Sequence, residues 1–393
     1  MKRKICTALA ILLTLTAVLA GCGGTGAGDT SVTEVAAEEI TPSEAEEPEA
    51  AEPAEEPAAE PTPEPTPVPE EKGKEVPEGM YLSELSGEPI SEELRSQRPI
   101  AVMVDNELTS LPHYGTTQGD VVYELMNSTA NNRITRLMVM VKDWENIPQL
   151  GNIRSTRPTN ILLAAEWNAV LCHDGGPYYI DYYFQQPWTD HFSGTFSRVP
   201  NGKSREFTEY IVSGDLDADF SYSNYSKEYN EYYTLGDEPH FNFVDWGLEV
   251  KLSDIYPDVY SATDISVPFP HNGSNLKYNE ETGTYDYYEY GNIYQDAQDG
   301  TVMSFKNVIL QCCSFTQLDQ NGYLVYNCIA PRAPALYITN GQSKFVYWGK
   351  DSECEPTRFT DDNGQEIKMN TGKTYIALVP EDAWDQITLE NKQ

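Results

Sequence analysis

Positive charge is what this chain has least of. Only 26 Lys and Arg stand against 62 Asp and Glu in 393 residues, a net charge of −36. That excess repels phosphate backbones and anionic headgroups, so no nucleic-acid partner is expected. Histidine is scarcer, five residues widely spaced, which leaves little to build a catalytic zinc centre; no metal and no cofactor is expected. No His-Glu-x-x-His, nucleophile elbow or Cys-x-x-Cys occurs. Asn201-Gly202-Lys203-Ser204 has the tail of a phosphate loop, but Ser197 stands where that loop needs Gly. The segment Asp215 to Asp219 begins like a calcium loop and lacks its central Gly and closing Glu. Beyond the N-terminal stretch no apolar run is long enough to span a bilayer.

What is present at the N-terminus sets the address. Lys2, Arg3 and Lys4 precede an apolar stretch at 5–18, too short for a comfortable span, and Leu19-Ala20-Gly21-Cys22 follows. That tetrapeptide resembles the bacterial lipobox, which implies a signal peptide at 1–21 and a lipid anchor on Cys22. The expected location is the extracellular face of the cytoplasmic membrane, with the anchor as the membrane attachment. Residues 22–79 are mostly Glu, Pro, Ala and Thr, with a net charge of about −15 over 23–79. Such a segment cannot bury enough apolar surface to offset its ordering entropy, and reads as a disordered stalk.

Folded sequence starts near Met80. "RPIAVMVDN" and "ITRLMVMVKDW" read as buried strands, and "TTQGDVVYELMN" as a helix whose Val121 and Val122 argue against it. "NIRSTRPTNILLAAEWNAVLCHDGG" reads as strand, helix from about Thr156 to Trp167, then strand. From about Val259 onward, aromatic and β-branched runs are punctuated by Thr-Gly, Asn-Gly and Asp-Asn-Gly turns, the pattern of hairpins. The expected fold is α+β overall: an N-terminal α/β domain over 80–258, then a mainly antiparallel β domain over 259–393.

The blocks "RPIAVMVDN", "GDVVYEL", "ITRLMVMV", "GNIRSTRP" and "VLCHDGG" resemble, in order, those of the YerB-like lipoproteins of Gram-positive bacteria. The Tyr-rich block from Tyr278 and the block ending "TYIALVP" are similar to that family's C-terminal β part. The resemblance spans the folded region and implies a two-part extracytoplasmic domain of unknown function. One departure is visible. Where the family has an Arg-Asp pair followed by Pro-His-Asn, this chain reads "SRVPNGKSREFTEYIVSG", which keeps Arg198 and lacks the His.

The scarce positive charge is concentrated in "GNIRSTRP", where a strand hands over to a helix. Ser155 or Thr156 suits the N-cap, and Pro158 the first turn. Unpaired amides at a helix start favour an anion, and Arg154 and Arg157 add planar donor forks matched to phosphate or carboxylate. Arg133 and Arg136 flank the preceding strand, Arg136 reading as structural because it sits just inside it. Asp105, Asn106, His173 and Asp174 fall at strand ends, where ligands gather in open α/β sheets. The candidate ligand site is therefore Arg133, Arg154, Ser155, Thr156, Arg157, Asp105, Asn106, His173 and Asp174. The alternative is that the arginines pair with Glu124, Asp120 or Asp143 and hold elements together.

A guest of this site would be an anionic or glycan component of the cell envelope, such as a lipid-linked pyrophosphate, a teichoic acid precursor or a polyanionic glycan. Tyrosine-rich segments such as "YIDYYFQQPW" offer platforms for sugar rings, or pack across strands. On this reading the protein binds rather than catalyses. Two alternatives are a phosphoryl or glycopolymer transferase using the same cleft, with Asp105 or Asp174 on a divalent cation, and a structural adaptor for another envelope protein. The transferase pattern is loosely similar to the LytR-CpsA-Psr phosphotransferases. In "CCSFTQLDQNGYLVYNC" a hairpin register sets Cys313 opposite Cys328, and a disulfide between them is expected as possible outside a cell.

Overall fold

The computed structural model describes residues 72–236 and 238–390. The signal at 1–21, Cys22 and the stalk as far as residue 71 lie outside the described residues. In the described part of that segment, the Lys74 amide donates to the Trp246 carbonyl.

Strands from both halves of the chain share one eleven-stranded sheet. On one side run Val121–Met126, Thr135–Val141, Ile100–Asp105, Val170–His173 and His191–Ser193 in spatial order. On the other run Asn307–Cys313, Ala330–Thr339, Gln342–Lys350 and Tyr260–Ser261, with Arg358–Thr360 beside Gln342–Lys350. The seam is the late strand Thr374–Pro380. It pairs parallel with Asn307–Cys313 on one flank and with Val121–Met126 on the other. These strands carry β-branched and long aliphatic residues, and Val121–Met126, Thr135–Val141 and Thr374–Pro380 are buried along their whole length. Continuous apolar runs suit strands covered on both faces.

That burial explains the first correction. The segment 121–126 is a central strand, not the expected helix; Val121, Val122, Tyr123, Leu125 and Met126 are all buried, so no polar face exists for a helix to turn outward. The fold is accordingly mostly β with few helices. The α/β character of the first half rests on the helix Pro158–Glu166, which precedes Val170–His173, a strand parallel to both Ile100–Asp105 and His191–Ser193, and on a second helix, Asp215–Tyr222. The expected hairpins do form: Asn275–Asn279 pairs with Thr284–Glu289, and Ala330–Thr339 with Gln342–Lys350 across Asn340-Gly341. Asn340 and Gly341 both have positive φ, as a type I′ turn requires.

The Asn275–Asn279 hairpin belongs to a five-stranded sheet that turns Tyr285, Tyr287 and Glu289 inward. Two buried carboxylates tie the halves together. Glu124, on Val121–Met126, accepts from Asn106, Thr135, Asn272 and Ser274 on Oε1 and from Tyr287 and Tyr375 on Oε2, at 2.6–3.2 Å. Glu166, the last helical residue, accepts from Tyr123 (2.8 Å), Lys350 Nζ (2.9 Å) and the Thr357 hydroxyl (2.7 Å). Both Glu166 and Lys350 side chains are wholly inaccessible.

The hairpin Phe315–Gln317/Leu324–Tyr326 has the expected register, Phe315 opposite Tyr326, which sets Cys313 opposite Cys328. The expected bond is nevertheless not formed: both are buried free thiols. Burial pushes the Cys328 thiol up to about 12 and that of Cys313 well above its ordinary value.

Lys350→Met strands the Glu166 carboxylate without its counter-charge. The substitution is expected to cost about 3–5 kcal/mol in denaturant unfolding, and Glu166→Gln/Lys350→Met to recover much of that loss. A cost under about 1 kcal/mol for the single variant would show that the pair does not hold the halves together.

Candidate functional site

The segment leading into the helix lies against two strand ends. The Arg154 amide donates to Met103 O (2.9 Å), and the Asp174 amide to Arg154 O (3.0 Å). Arg154 is thereby held between Asp105 and Asp174. Its Nε lies 3.2 Å from Asp105 Oδ2, and its Nη1 lies 2.9 Å from Glu206 Oε2, with the guanidinium over the Phe207 ring. None of Glu124, Asp120 or Asp143 forms an ion pair with these arginines.

Arg157 has a different environment. It is the N-cap residue itself, in place of the expected Ser155 or Thr156, and its amide donates to Asn160 Oδ1 (3.1 Å). Extended backbone persists through Arg157 because Pro158, at the first helical position, disfavours helical geometry in the residue before it. Its side chain is 5 % exposed. The guanidinium donates to Asn127 O (3.0 Å), Thr156 O (2.7 Å) and Ser155 Oγ (3.3 Å), and lies 4.6 Å from the centre of the Tyr323 ring. No carboxylate pairs with it among the described residues. Burial, then the nearby Arg136, lower it to about 9, so it remains charged at neutral pH.

Arg136 completes the cluster. Its side chain is 6 % exposed, and its one ionic neighbour, Asp105 Oδ1, is 3.9 Å away, beyond hydrogen-bond reach. Its Nε and Nη1 are buried without partners. Each such orphan donor costs roughly 1–3 kcal/mol. Arg136 and Arg154 thus share the buried Asp105, Arg154 alone also reaches the exposed Glu206, and Arg157 has no carboxylate partner among the described residues.

Beside them lies a second ionic group. Arg198 Nη2 reaches Asp174 Oδ2 (2.8 Å) and also contacts Glu209, which is fully buried. Burial, then the neighbouring Asp174, raise the Glu209 carboxyl to about 8. Burial opposes ionisation of Asp174 too, but hydrogen bonds from Glu209 and Arg198 outweigh it and hold Asp174 below its usual value. Arg198 lies across both carboxyls.

The remaining sequence candidates divide. Ser155 is half-buried beside Arg157, and Thr156 is buried, its amide on Gly175 O. His173 is a satisfied strand-end histidine. Its Nδ1–H can only donate to Gly175 O (2.8 Å), so its Nε2 accepts from His191 Nδ1 (3.0 Å), and burial lowers it to about 4. Asn106 and Arg133 do not join the cluster: Asn106 turns its amide to Glu124 and Thr135, and Arg133 forms a bidentate pair with Asp382. The partners that sequence reading missed are Glu209 and Tyr323, brought in by strand pairing and by a distant Asn-Gly turn with no local signature.

Exposed tyrosines follow the site in the chain. Tyr178 is 71 % and Tyr182 67 % exposed, just beyond Asp174-Gly175-Gly176. Gly176 permits the close approach there, since a Cβ would stand 3.0 Å from Thr156 O. In the other Tyr-rich segment, Tyr285, Tyr287 and Tyr294 are buried packing residues. A hollow of about 520 Å³ lies elsewhere, lined by Tyr81, Glu84, Arg95, Tyr229 and Phe243 among others.

Residues 85–226 match the family described as "Protein of unknown function (DUF3048) N-terminal domain", and 265–376 match its C-terminal domain. The chain is 21% identical over 313 residues to "Putative lipoprotein YerB" of Bacillus subtilis (strain 168), covering 76% of this chain and 86% of that protein. It is similar in fold to the crystal structure of YerB protein from Bacillus subtilis, with a TM-score of 0.65 at 19% identity, over 77% of this chain and 98% of that one.

Because Glu209 holds its proton more tightly when folded, its contribution to stability is full below about pH 4.5 and is lost as pH rises through about 8. Denaturant unfolding at pH 5 and pH 8.5 should show a smaller decline for Glu209→Gln than for the parent chain. Identical declines would mean that Glu209 does not titrate in this window.

Proposed function

The chain belongs to the YerB-like DUF3048 family, and from that premise we propose that it is a lipid-anchored protein of the extracellular face of the cytoplasmic membrane whose folded part binds an anionic group of an envelope component at Arg136, Arg154 and Arg157. The observation that carries this reading is the charge imbalance of the cluster. Arg157 meets only neutral oxygens and an aromatic face, and Arg136 keeps two buried nitrogens unpaired. Burying that much cationic surface without counter-charge costs stability, and an incoming phosphate or carboxylate would offset the cost through charge-assisted hydrogen bonds.

The anchor rests on Leu19-Ala20-Gly21-Cys22 and on the name of the Bacillus relative. A saccharide-borne anion fits better than nucleic acid. The net charge of −36 disfavours a long polyanion, and Tyr178 and Tyr182 offer exposed ring faces beside Asp174. The transferase alternative draws on Asp174 and Glu209, two carboxyls both contacted by Arg198, with Glu209 raised to about 8 by burial and then by Asp174. Its divalent-cation version is weakened because Asp105 lies between two guanidinium groups.

Titrating the full chain with inorganic pyrophosphate in a calorimeter tests the binding reading. Arg154→Gln should weaken binding about tenfold or more, while Arg133→Gln, which breaks only the pair with Asp382, should leave it unchanged. Equal binding by Arg154→Gln and the parent chain, both folded by circular dichroism, would remove the arginine cluster as the site.

A further inference from the structure

The hollow of about 520 Å³ shares no lining residue with the arginine cluster. Four aromatic rings line it, those of Tyr81, Tyr229, Tyr233 and Phe243, together with the carboxylates of Glu238 and Asp245. Tyr81 lies on the short strand Met80–Leu82, and Gly87 stands in the connection from it to Pro89–Ser91. With its φ of +67° and no side chain, Gly87 lets the Phe243 ring close on the backbone; a Cβ there would stand 2.7 Å from Phe243 Cγ. Tyr229 and Tyr233 stack with ring centres 3.9 Å apart and planes 12° from parallel.

The charges around this hollow do not balance. Its buried carboxylate, Glu84, accepts from Tyr81 (3.1 Å), from Tyr229 and from Lys142 Nζ. Arg95, also in the lining, is held by Glu92 through Nε and through Nη2 (2.8 Å). Both nearby cations therefore have a counter-charge. Glu238 and Asp245 are exposed, and neither forms an ion pair among the described residues. The rings already serve cations of the chain itself: the Arg95 guanidinium lies 4.5 Å from the centre of the Tyr81 ring, and Lys142 Nζ 4.6 Å from that of Tyr229.

We propose that this hollow binds a quaternary ammonium group. Aromatic faces attract a cation, and two unanswered carboxylates add charge of the matching sign, which an anion would meet as repulsion. A saccharide fits less well, because it needs several hydrogen-bonding partners inside the site and Glu84 and Arg95 are already engaged. The same shortage favours a methylated over a primary ammonium, since a trimethylammonium brings no N–H donors to be stranded. Exposed Met80 and Leu82, which also line the hollow, offer apolar surface to the methyl groups. The volume admits such a group together with the stem that carries it. This site prefers the opposite charge to that of the arginine cluster and stands whether or not the cluster binds an anion.

The test is a saturation-transfer NMR titration of the full chain with choline chloride at constant ionic strength. Butylammonium chloride and the uncharged carbon analogue of choline, in which a quaternary carbon replaces the nitrogen, run beside it. Choline should bind about tenfold more tightly than its carbon analogue, and more tightly than butylammonium. Glu238→Gln/Asp245→Asn, which changes only exposed side chains, should weaken choline about fivefold or more and leave the carbon analogue unchanged. Phe243→Leu, which keeps apolar bulk and removes a ring, should also weaken choline; if it does not fold, the double variant decides. The proposal is overturned if choline and its carbon analogue bind equally, if butylammonium binds as tightly as choline, if choline shows no binding up to about 50 mM, or if the double variant binds choline like the parent chain.

Discussion

The Glu124 carboxylate is the point on which the two halves of this molecule close. It sits on a strand of the first half, yet four of its six donors, Asn272, Ser274, Tyr287 and Tyr375, come from beyond residue 270. A carboxylate in so dry a place survives only if nearly every lone pair is answered. The answering groups must therefore arrive together: the inward face of the five-stranded sheet, the Thr374–Pro380 strand and the Asn106 turn. Glu166 repeats the device at the far end of the helix, with Lys350 as its counter-charge. Hydrophobic burial supplies the bulk of the driving force, and these two acids specify which faces meet.

The arginine cluster follows the opposite logic. Around Glu124 donors outnumber what one carboxylate needs, whereas around Arg136 and Arg157 acceptors are too few. Both centres are buried by the same sheet, so the difference is one of pairing and not of exposure. Cationic donors are left short in the arginine cluster, within reach of half-exposed Arg154 and Ser155. Beside it, burial and then the neighbouring Asp174 raise the Glu209 carboxyl to about 8, with Arg198 contacting both acids.

Legibility in the sequence followed the range of the interactions. Short-range chemistry was readable: the Asn340-Gly341 turn, the Pro158 helix start, and the hairpin register that sets Cys313 against Cys328. The 121–126 strand was misread because apolar spacing alone cannot distinguish a helix from a strand covered on both faces. Val121 and Val122 carried the correct signal, and it was underweighted. In the site, Arg154 and Asp105 were legible as neighbours from strand-end logic. Asn106 was not separable from Asp105 by sequence, although adjacent strand residues point to opposite faces, one to the arginines and one to Glu124. Glu209 and Tyr323 could not be found at all, since each reaches the site by pairing across long sequence separations.

The placement of Thr374–Pro380 has a consequence for biogenesis. A ribosome delivers this chain from the other end, so the strand that bridges Asn307–Cys313 and Val121–Met126 emerges nearly last. Until it does, two apolar strand edges stand open, and each is a template for a stray neighbour. A chain cut short by some twenty residues would retain most of its core sequence but lose this strand, leaving both of those edges unpaired.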